Sequence, residues 1–152
     1  MPKASVKRLI ECNKKQLIDL VLDIESYPLF IPYCLNSKVY EKNEKDNRIS
    51  MIADLTIGKG PFMATYKSNV KYYKSTDTIH VTNIAGPLKY LDNKWTFLEK
   101  DNCTEISFDI DFEIENKFLN IVMSKSFQYG LDKIADSFQK RANDLFKGKI
   151  NH

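Results

Sequence analysis

The stretch EISFDIDFEIENKFLNIVMSKSFQYGLDKIADSFQKRANDLFK (105–147) changes its hydrophobic period at Asn116. Up to that residue apolar and polar side chains alternate, which predicts a β-strand with one covered and one solvated face. Beyond it, apolar residues recur every three to five positions without a proline, which predicts one amphipathic helix. A strand that runs directly into such a helix predicts that a sheet and a helix share one core.

The predicted terminal helix begins after Asn116, which would cap it, and reaches about Lys147. Gly148 stands where the glycine that ends a helix is expected. At 1.5 Å per residue the helix is about 45 Å long. Its apolar stripe consists of Phe118, Val122, Phe127, Leu131, Ile134, Phe138, Ala142 and Leu145.

The chain before this stretch predicts the rest of the sheet. Residues 4–10 alternate as an opening strand, and Asn13 stands at the N-cap of an amphipathic helix over 14–24. Two prolines in ESYPLFIPYCL (25–35) end that region of one or two short helices, because proline has no backbone N–H to donate. From 35 to 99 the period is two, with breaks predicted at 42–47, 58–61, 74–77 and 85–87. We therefore predict an α+β fold in which a curved antiparallel sheet of about six or seven strands grips the terminal helix.

The strand before the last one contains an irregularity in its pattern. Leu91, Trp95 and Phe97 share one face, whereas Leu88 is out of phase with them. A β-bulge, which inserts one extra residue into a strand, would bring all four to the same face. We predict this bulge, or a kink, near Asp92–Asn93.

Composition limits the class of protein. The 152 residues, 43% hydrophobic and 28% charged, predict a single folded domain spanning 1–152. A net charge of +3 is too small to imply nucleic acid by itself. No apolar run approaches the roughly 20 residues of a membrane span, and the N-terminus has no signal-peptide pattern, so a cytoplasmic location is expected. Cys12, Cys34 and Cys103 are odd in number and contain no CxxC pair, which favours reduced thiols over disulfides or zinc.

Residues able to catalyse a reaction are few. His80 and His152 are the only histidines, and none of the common hydrolase, zinc-protease or nucleotide-binding motifs occurs. Asp109, Asp111 and Glu113 alternate along one strand, which is typical of a solvated face. We therefore predict no catalytic residues, no metal and no cofactor. The final helix interleaves lysines with aspartates, which favours a solvated face over a phosphate-binding stripe. A ribosome or RNA contact is kept as an alternative.

The apolar side chains exceed what simple packing requires. A strongly curved sheet leaves space that one helix cannot fill along its whole length, and Tyr66, Ser68 and Tyr72 add sparse polar groups to an otherwise apolar face. That mixture is typical of ligand pockets. The alternative is a solid aromatic core. The candidate lining is Tyr27, Phe30, Tyr33, Tyr66, Tyr72, Leu88, Tyr90, Trp95, Phe97, Phe112, Phe118 and Phe127.

Three segments in register resemble a known family. These are SYPLFIPYC (26–34), GPLKYLDNKW (86–95) and DFEIENKFL (111–119). The chain resembles, over nearly its whole length, the coenzyme Q-binding protein family of the START-like, polyketide cyclase/dehydrase-related superfamily, which also includes a bacterial ribosome association toxin. The resemblance implies a helix-grip fold with a hydrophobic tunnel between the sheet and the terminal helix.

The resemblance also implies which residues form the site. Tyr27, Pro28, Phe30 and Pro32 would form a loop over the tunnel mouth, and the strand with Pro87, Leu88, Leu91 and Trp95 would border it. Leu88 departs from the family, where phenylalanine is common, which affects the shape of the mouth. The full predicted ligand-binding set is Tyr27, Pro28, Phe30, Pro32, Tyr66, Tyr72, Leu88, Leu91, Trp95, Phe112, Phe118, Phe127 and Leu131.

The function implied is non-enzymatic binding of ubiquinone, or of a prenylated intermediate of its synthesis, by a carrier at the inner face of a membrane. The proline-stiffened loop could also touch the bilayer surface. Two alternatives stay open: association with the large ribosomal subunit, and an aromatase/cyclase that acts on polyketides. The latter needs polar pocket residues, of which this sequence has few.

Overall fold

The computed structural model describes residues 3–58 and 63–147. Seven strands form one antiparallel sheet in the order β1-β7-β6-β5-β4-β3-β2, and a long helix follows the last strand. The predicted α+β helix-grip fold is therefore confirmed. The elements are β1 (Lys3–Ile10), α1 (Lys14–Leu22), a 3₁₀ segment (Ile24–Leu29), β2 (Cys34–Lys45), β3 (Arg48–Ile57), β4 (Ala64–Tyr73), β5 (Thr78–Ala85), β6 (Leu88–Lys100), β7 (Cys103–Ile114) and α2 (Lys117–Ala142), which a π-helical turn (Asn143–Lys147) extends.

Helix α1 begins as its sequence predicts. The Asn13 side chain accepts a hydrogen bond from the Gln16 N–H (2.8 Å), and the Gln16 side chain accepts one from the Asn13 N–H (3.2 Å). This reciprocal pair satisfies two N–H groups that a helix start leaves free. The helix ends at Leu22, two residues earlier than predicted, and the chain continues as a 3₁₀ segment that contains Pro28.

The bulge in β6 lies closer to the start of the strand than predicted. Leu88 pairs with Ile114, and Tyr90 pairs with Glu113, so the extra residue falls between Leu88 and Tyr90. From Leu91 onward the pairing with β7 is regular. The predicted bulge near Asp92–Asn93 is therefore wrong.

The reason for that error is a buried polar residue. Asn93 is only 6% exposed and shares the inner face with Trp95. Its side chain donates to the Asp109 carbonyl (3.0 Å) and accepts from the Trp95 indole N–H (3.1 Å). A buried amide is tolerated when its groups are hydrogen-bonded. A pattern that treats asparagine as outward-facing cannot anticipate this pair.

The turns are partly as predicted. KSTD (74–77) forms a turn, whereas the predicted turn at 42–47 is only Asp46–Asn47, because β2 and β3 continue up to it. Asp46 has φ 38°, a conformation that aspartate and asparagine tolerate better than most residues. At the 85–87 break Gly86 has φ 124°. The predicted break at 58–61 and the predicted strand residue Phe62 fall largely outside the described residues, as does Gly148.

Helix α2 begins directly after Asn116, whose carbonyl accepts the N–H of Asn120 (3.0 Å). The residues of its predicted apolar stripe differ in burial from one end of the helix to the other. Leu131, Phe138 and Ala142 in the C-terminal half are buried, whereas Phe118 in the first turn is 71% exposed. The side chain of Val122 lies outside the described residues. The C-terminal half of α2 therefore anchors the helix to the sheet.

The inner face of the sheet carries two apolar clusters. The main core combines the buried face of α1 (Leu17, Ile18, Leu20 and Val21) with the C-terminal half of α2. A separate cluster, called here the second cluster, has Leu88, Phe112 and Ile114 at its centre, with Tyr66, Leu91, Ile110 and Phe127 packed against it. Because it includes the first residue of β6 and the last of β7, the second cluster lies at one end of the sheet.

Candidate functional site

The end of the sheet that holds the second cluster is closed by contacts between loops. The Gly58 N–H donates to the Tyr33 carbonyl (2.9 Å), and the Glu115 N–H donates to the Pro87 carbonyl (2.9 Å). In the register of the sheet the first residues of β2, β4 and β6 meet the last residues of β3, β5 and β7 here. Helix α2 starts three residues after β7. The proline loop (25–35), the end of β3, the β5–β6 turn and the start of α2 therefore gather at this end.

This end exposes several large apolar side chains, which we call the apolar rim. Leu29 is 72% exposed, Phe118 71% and Tyr33 60%. Folded proteins usually keep contiguous apolar surface small unless it binds a ligand, a partner or a membrane. The apolar rim consists of Leu29, Tyr33, Leu35, Met63, Ile84, Phe118 and Ile121.

The proline loop is anchored on its inner side. Tyr27 is buried, its hydroxyl donates to the Val21 carbonyl, and burial raises the pKa of that hydroxyl. Its ring packs edge-to-face against Phe30 (6.0 Å) and Phe138 (5.4 Å). Pro28 is half-buried within the 3₁₀ segment, and Pro32 is exposed. Tyr27 and Phe30 therefore act as the packed base of the loop.

The interior below this loop is filled by aromatic side chains. Phe138 contacts Phe30 (5.2 Å) and Trp95 (5.3 Å), and Trp95 contacts Phe108 (4.4 Å). A cavity of about 20 Å³ remains between α2 and the sheet, which is the size of one water molecule. A cavity of this size does not hold a lipid tail, and the predicted tunnel stays a prediction. The cavity is lined by Val6, Arg8, Ile10, Trp95, Ile106, Phe108, Leu131, Ile134, Ala135 and Phe138.

The structure divides the predicted ligand-binding set into groups. The second cluster unites Tyr66, Leu88, Leu91, Phe112 and Phe127, with the Phe112 and Phe127 rings 4.6 Å apart. This group lies at the same end of the sheet as the apolar rim, where a ligand could enter.

The remaining predicted residues lie elsewhere. Trp95 and Leu131 belong to the main core beside the small cavity. Tyr72 lies towards α1, where its hydroxyl donates to Asp77 (3.3 Å), a carboxylate that also accepts from Lys14 (2.8 Å). Phe118 points to solvent on the apolar rim.

One polar residue that the sequence did not predict, Asn83, lies on the inner face beside the second cluster. Asn83 pairs with the buried Ser68, so both side chains face inward. The available signal was Asn83's place in phase with Ile79 and Val81 along β5. Asparagine in such a position is easily taken for a strand end.

The potential catalytic groups lie on the outer face of the sheet. His80 hydrogen-bonds Asp92 at 2.5 Å on the surface. Asp111 and Glu113, two of the alternating acids of β7, pair with Lys3 (3.8 Å) and Lys89 (3.7 Å). His152 lies outside the described residues. Within 3–58 and 63–147 no group of three or more His, Cys, Asp or Glu side chains is arranged to hold a metal ion.

The outer face also carries unpaired cations. A groove of about 210 Å³ is lined by Asn43, Lys45, Arg48 and Ser50. In the register, Lys45 lies opposite Arg48 and Asn43 opposite Ser50, and Ser50 is followed across the sheet by Lys71, His80 and Lys94. We call Lys45, Arg48, Lys71 and Lys94 the basic patch. No carboxylate in the described part of the chain lies within 4.0 Å of these four cations.

Comparison with known proteins gives the same architecture. The model of the family described as polyketide cyclase/dehydrase and lipid transport matches residues 12–139. The ribosome association toxin RatA from Rickettsia prowazekii (strain Madrid E) is 29% identical over 92% of this chain and 95% of that protein. The mitochondrial coenzyme Q-binding protein COQ10 from Dictyostelium discoideum is 29% identical over 86% of this chain and 64% of that protein.

A solved structure supports the fold at lower identity. A START superfamily protein from Mycobacterium smegmatis superposes with a TM-score of 0.79 at 15% identity, covering 94% of this chain and 98% of that one. Identity this low carries information on the fold alone. The described part of the chain contains no helix long and apolar enough to cross a membrane.

Proposed function

Because the chain belongs to the polyketide cyclase/dehydrase and lipid transport family, we propose that it is a non-enzymatic carrier of ubiquinone or of a prenylated intermediate of ubiquinone synthesis. On this proposal residues 1–152 form one lipid-binding domain that works from the cytoplasm and touches the inner face of a membrane. The similarity to COQ10, whose name states coenzyme Q binding, supports the choice of ligand.

The observation that carries this proposal is the coincidence of the apolar rim with the second cluster. The rim supplies exposed apolar surface, and at the same end of the sheet lie Tyr66, Leu91 and Phe127, which are only partly buried. A lipid that enters here would first contact the exposed side chains of the apolar rim and then the apolar side chains of the second cluster. The proline loop lowers the entropy cost of binding, because its prolines already restrict the chain that must become ordered around a ligand.

Loading at the cavity of about 20 Å³ requires the interior to enlarge, since that volume cannot hold an isoprenyl group. We propose that α2 moves away from the second cluster at Phe127, which is only partly buried there, while Leu131, Phe138 and Ala142 keep the helix on the main core. Burying one isoprenyl unit from water is worth roughly 3–4 kcal/mol at ~0.8 per methylene. From a bilayer most of this gain cancels, since the tail is already in hydrocarbon. Such a carrier would load and release with similar ease.

The test is lipid content after expression in a quinone-producing host. We expect the purified wild-type protein to carry a prenylated quinone or its precursor, identified by mass spectrometry of the extracted lipid. Leu91→Lys is expected to reduce this content at least about tenfold, because a charge inside the second cluster would have to be desolvated. Leu98→Lys is the matched control, because Leu98 lies on the outward face of the same strand and is 56% exposed.

Two results would count against the carrier. The first is wild-type protein free of any quinone-related lipid. The second is full lipid content in Leu91→Lys, which would remove Leu91 from the binding site. Thermal unfolding of both variants shows whether a loss of lipid is only a loss of fold.

One observation favours a second function, association with the large ribosomal subunit. The basic patch lies at the hairpin end of the outer face, roughly 30 Å along β3 from the apolar rim at ~3.3 Å per residue. It therefore offers unpaired cations to a phosphate backbone independently of any lipid. The similarity to RatA, named a ribosome association toxin, supports this candidate.

The second function predicts a salt-dependent interaction. Binding of the protein to purified large subunits should weaken as salt rises, and Lys71→Gln should lower the slope of log K against log salt by about one. Lys15→Gln is the control, since Lys15 lies on α1 and pairs with Asp19 (2.8 Å). Equal slopes for the two variants, or no binding at any salt, would argue against this function.

A further inference from the structure

We propose that Tyr66, Ser68 and Asn83 bind the ring of the ligand and that they select a ring with a free hydroxyl, a hydroquinone or phenol, over the fully oxidised quinone. This inference rests on the proposed carrier function and adds the chemical form of the cargo. It is carried by the hydrogen-bonding state of three inward polar side chains next to the second cluster.

The three side chains are neighbours in the sheet. Tyr66 and Ser68 both face inward from β4, two residues apart, and Ser68 is directly paired with Asn83 on β5. Directly paired residues of an antiparallel sheet have Cβ atoms about 5 Å apart. The register shifts at this point, which makes Ile84 an extra, exposed residue on the rim. Bulges of this kind are frequent next to binding sites, where they re-aim side chains.

Asn83 leaves one specific hydrogen-bonding function unused. Its side-chain N–H donates to the Leu88 carbonyl (3.1 Å), which sets the orientation of the amide. Its carbonyl oxygen is buried and finds no hydrogen-bond partner among the described residues. A buried acceptor without a donor is unfavourable. The group that would satisfy it must carry an O–H or N–H.

The two hydroxyls beside it are also available. Ser68 is only 6% exposed, and the side-chain hydroxyls of Ser68 and Tyr66 make no hydrogen bond to another residue in the described part of the chain. Burial raises the pKa of Tyr66, so its hydroxyl keeps its proton at neutral pH and can donate. The three groups therefore offer one obligatory acceptor and two hydroxyls.

This set matches a reduced ring better than an oxidised one. A benzoquinone presents carbonyl oxygens, which can accept from Tyr66 or Ser68 but cannot donate to Asn83. A hydroquinone or a phenol presents an O–H that donates to the Asn83 oxygen, while its own oxygen can accept from a neighbouring hydroxyl. Binding the oxidised ring would leave the Asn83 acceptor buried and unsatisfied. The reduced or phenolic form should therefore bind more tightly.

The test compares three ligands with one short isoprenoid tail: a quinone, the matching hydroquinone kept reduced under anaerobic conditions, and a prenylated monophenol. With wild-type protein we expect the hydroquinone to bind about 5- to 150-fold more tightly than the quinone. The monophenol shows whether a single ring hydroxyl, as in a biosynthetic precursor, is enough for tight binding, or whether both hydroxyls of a hydroquinone are needed. If it binds as tightly as the hydroquinone, one hydroxyl suffices and biosynthetic precursors are cargo. If it binds as weakly as the quinone, a single hydroxyl does not satisfy the site and the selection rule is wrong.

Substitution at Asn83 identifies the group responsible. Asn83→Leu should remove the preference, because it weakens hydroquinone binding more than quinone binding and brings the ratio of the two affinities close to one. Ser68→Ala, which deletes a donor, should leave the preference in place. Equal affinity of wild-type protein for quinone and hydroquinone would overturn this inference and leave the carrier function intact. Binding of none of the three ligands would overturn both.

Discussion

Phe138→Ala is expected to lower the free energy of unfolding by about 3–5 kcal/mol. Phe138 is 4% exposed and packs edge-to-face against Tyr27, Phe30 and Trp95, with ring centroids 5.2 to 5.4 Å away. It therefore joins α2 to both the proline loop and β6. The neighbouring cavity of about 20 Å³ would grow by the volume of the ring, because the surrounding rings are held by other contacts. Chemical denaturation monitored by circular dichroism measures the loss.

The matched control is Phe118→Ala on the same helix. Phe118 is 71% exposed, so its removal should change the free energy of unfolding by no more than about 0.5 kcal/mol. Similar losses for both variants would show that α2 is not anchored through its C-terminal half. A folded domain is stable by only about 5–15 kcal/mol, so the Phe138 variant should lose between about a fifth and all of its stability.

Gly86→Ala is expected to destabilise the protein by about 1–3 kcal/mol from backbone strain, with a steric clash adding to this value. Gly86 has φ 124°, a conformation that residues with a side chain rarely adopt. A Cβ atom there would lie 2.9 Å from the backbone carbonyl oxygen of Thr65. Because that oxygen belongs to a strand of the sheet, it cannot move aside cheaply. The shift in denaturation midpoint, at an unchanged slope, measures the effect.

Gly130→Ala is the control, and its expected change in the free energy of unfolding has the opposite sign. Gly130 lies within α2, and an added Cβ would meet nothing within 4 Å. Alanine in a helix interior is favoured over glycine by about 0.8–1.0 kcal/mol, so this variant should be more stable than the wild type. A destabilised Gly130→Ala protein would contradict the position of this residue on the exposed side of α2.

The fold was predictable because its two decisive elements have strong periods. The alternation of Ile106, Phe108 and Phe112 and the stripe through Leu131 and Phe138 both correspond to buried faces. Element boundaries were less predictable. Asn93 is buried through hydrogen bonds to a neighbouring strand, and such partners cannot be identified from local sequence. The same limit moved the predicted position of the β6 bulge.

The candidate site was predictable in composition and less so in geometry. Motif resemblance led to Leu88 and Leu91, which do lie in the second cluster. It also led to Phe118, which is exposed, and to Tyr72, which belongs to an ion-paired region near α1. Alternation assigns a residue to a face of the sheet, whereas the position along that face depends on the register between strands. Asn83 was missed for this reason.

The sheet order has a consequence for how the chain acquires its structure. The first two strands of the sequence occupy opposite edges of the sheet, and Lys3 of β1 pairs with Asp111 of β7. The N-terminal strand thus has no partner strand until β7 (Cys103–Ile114) has left the ribosome. Pairings between residues so distant in sequence slow folding, because the entropy cost of closing a long loop precedes the stabilising contacts between its ends. During synthesis the N-terminal segment must wait unpaired, and the C-terminal third of the chain completes the molecule.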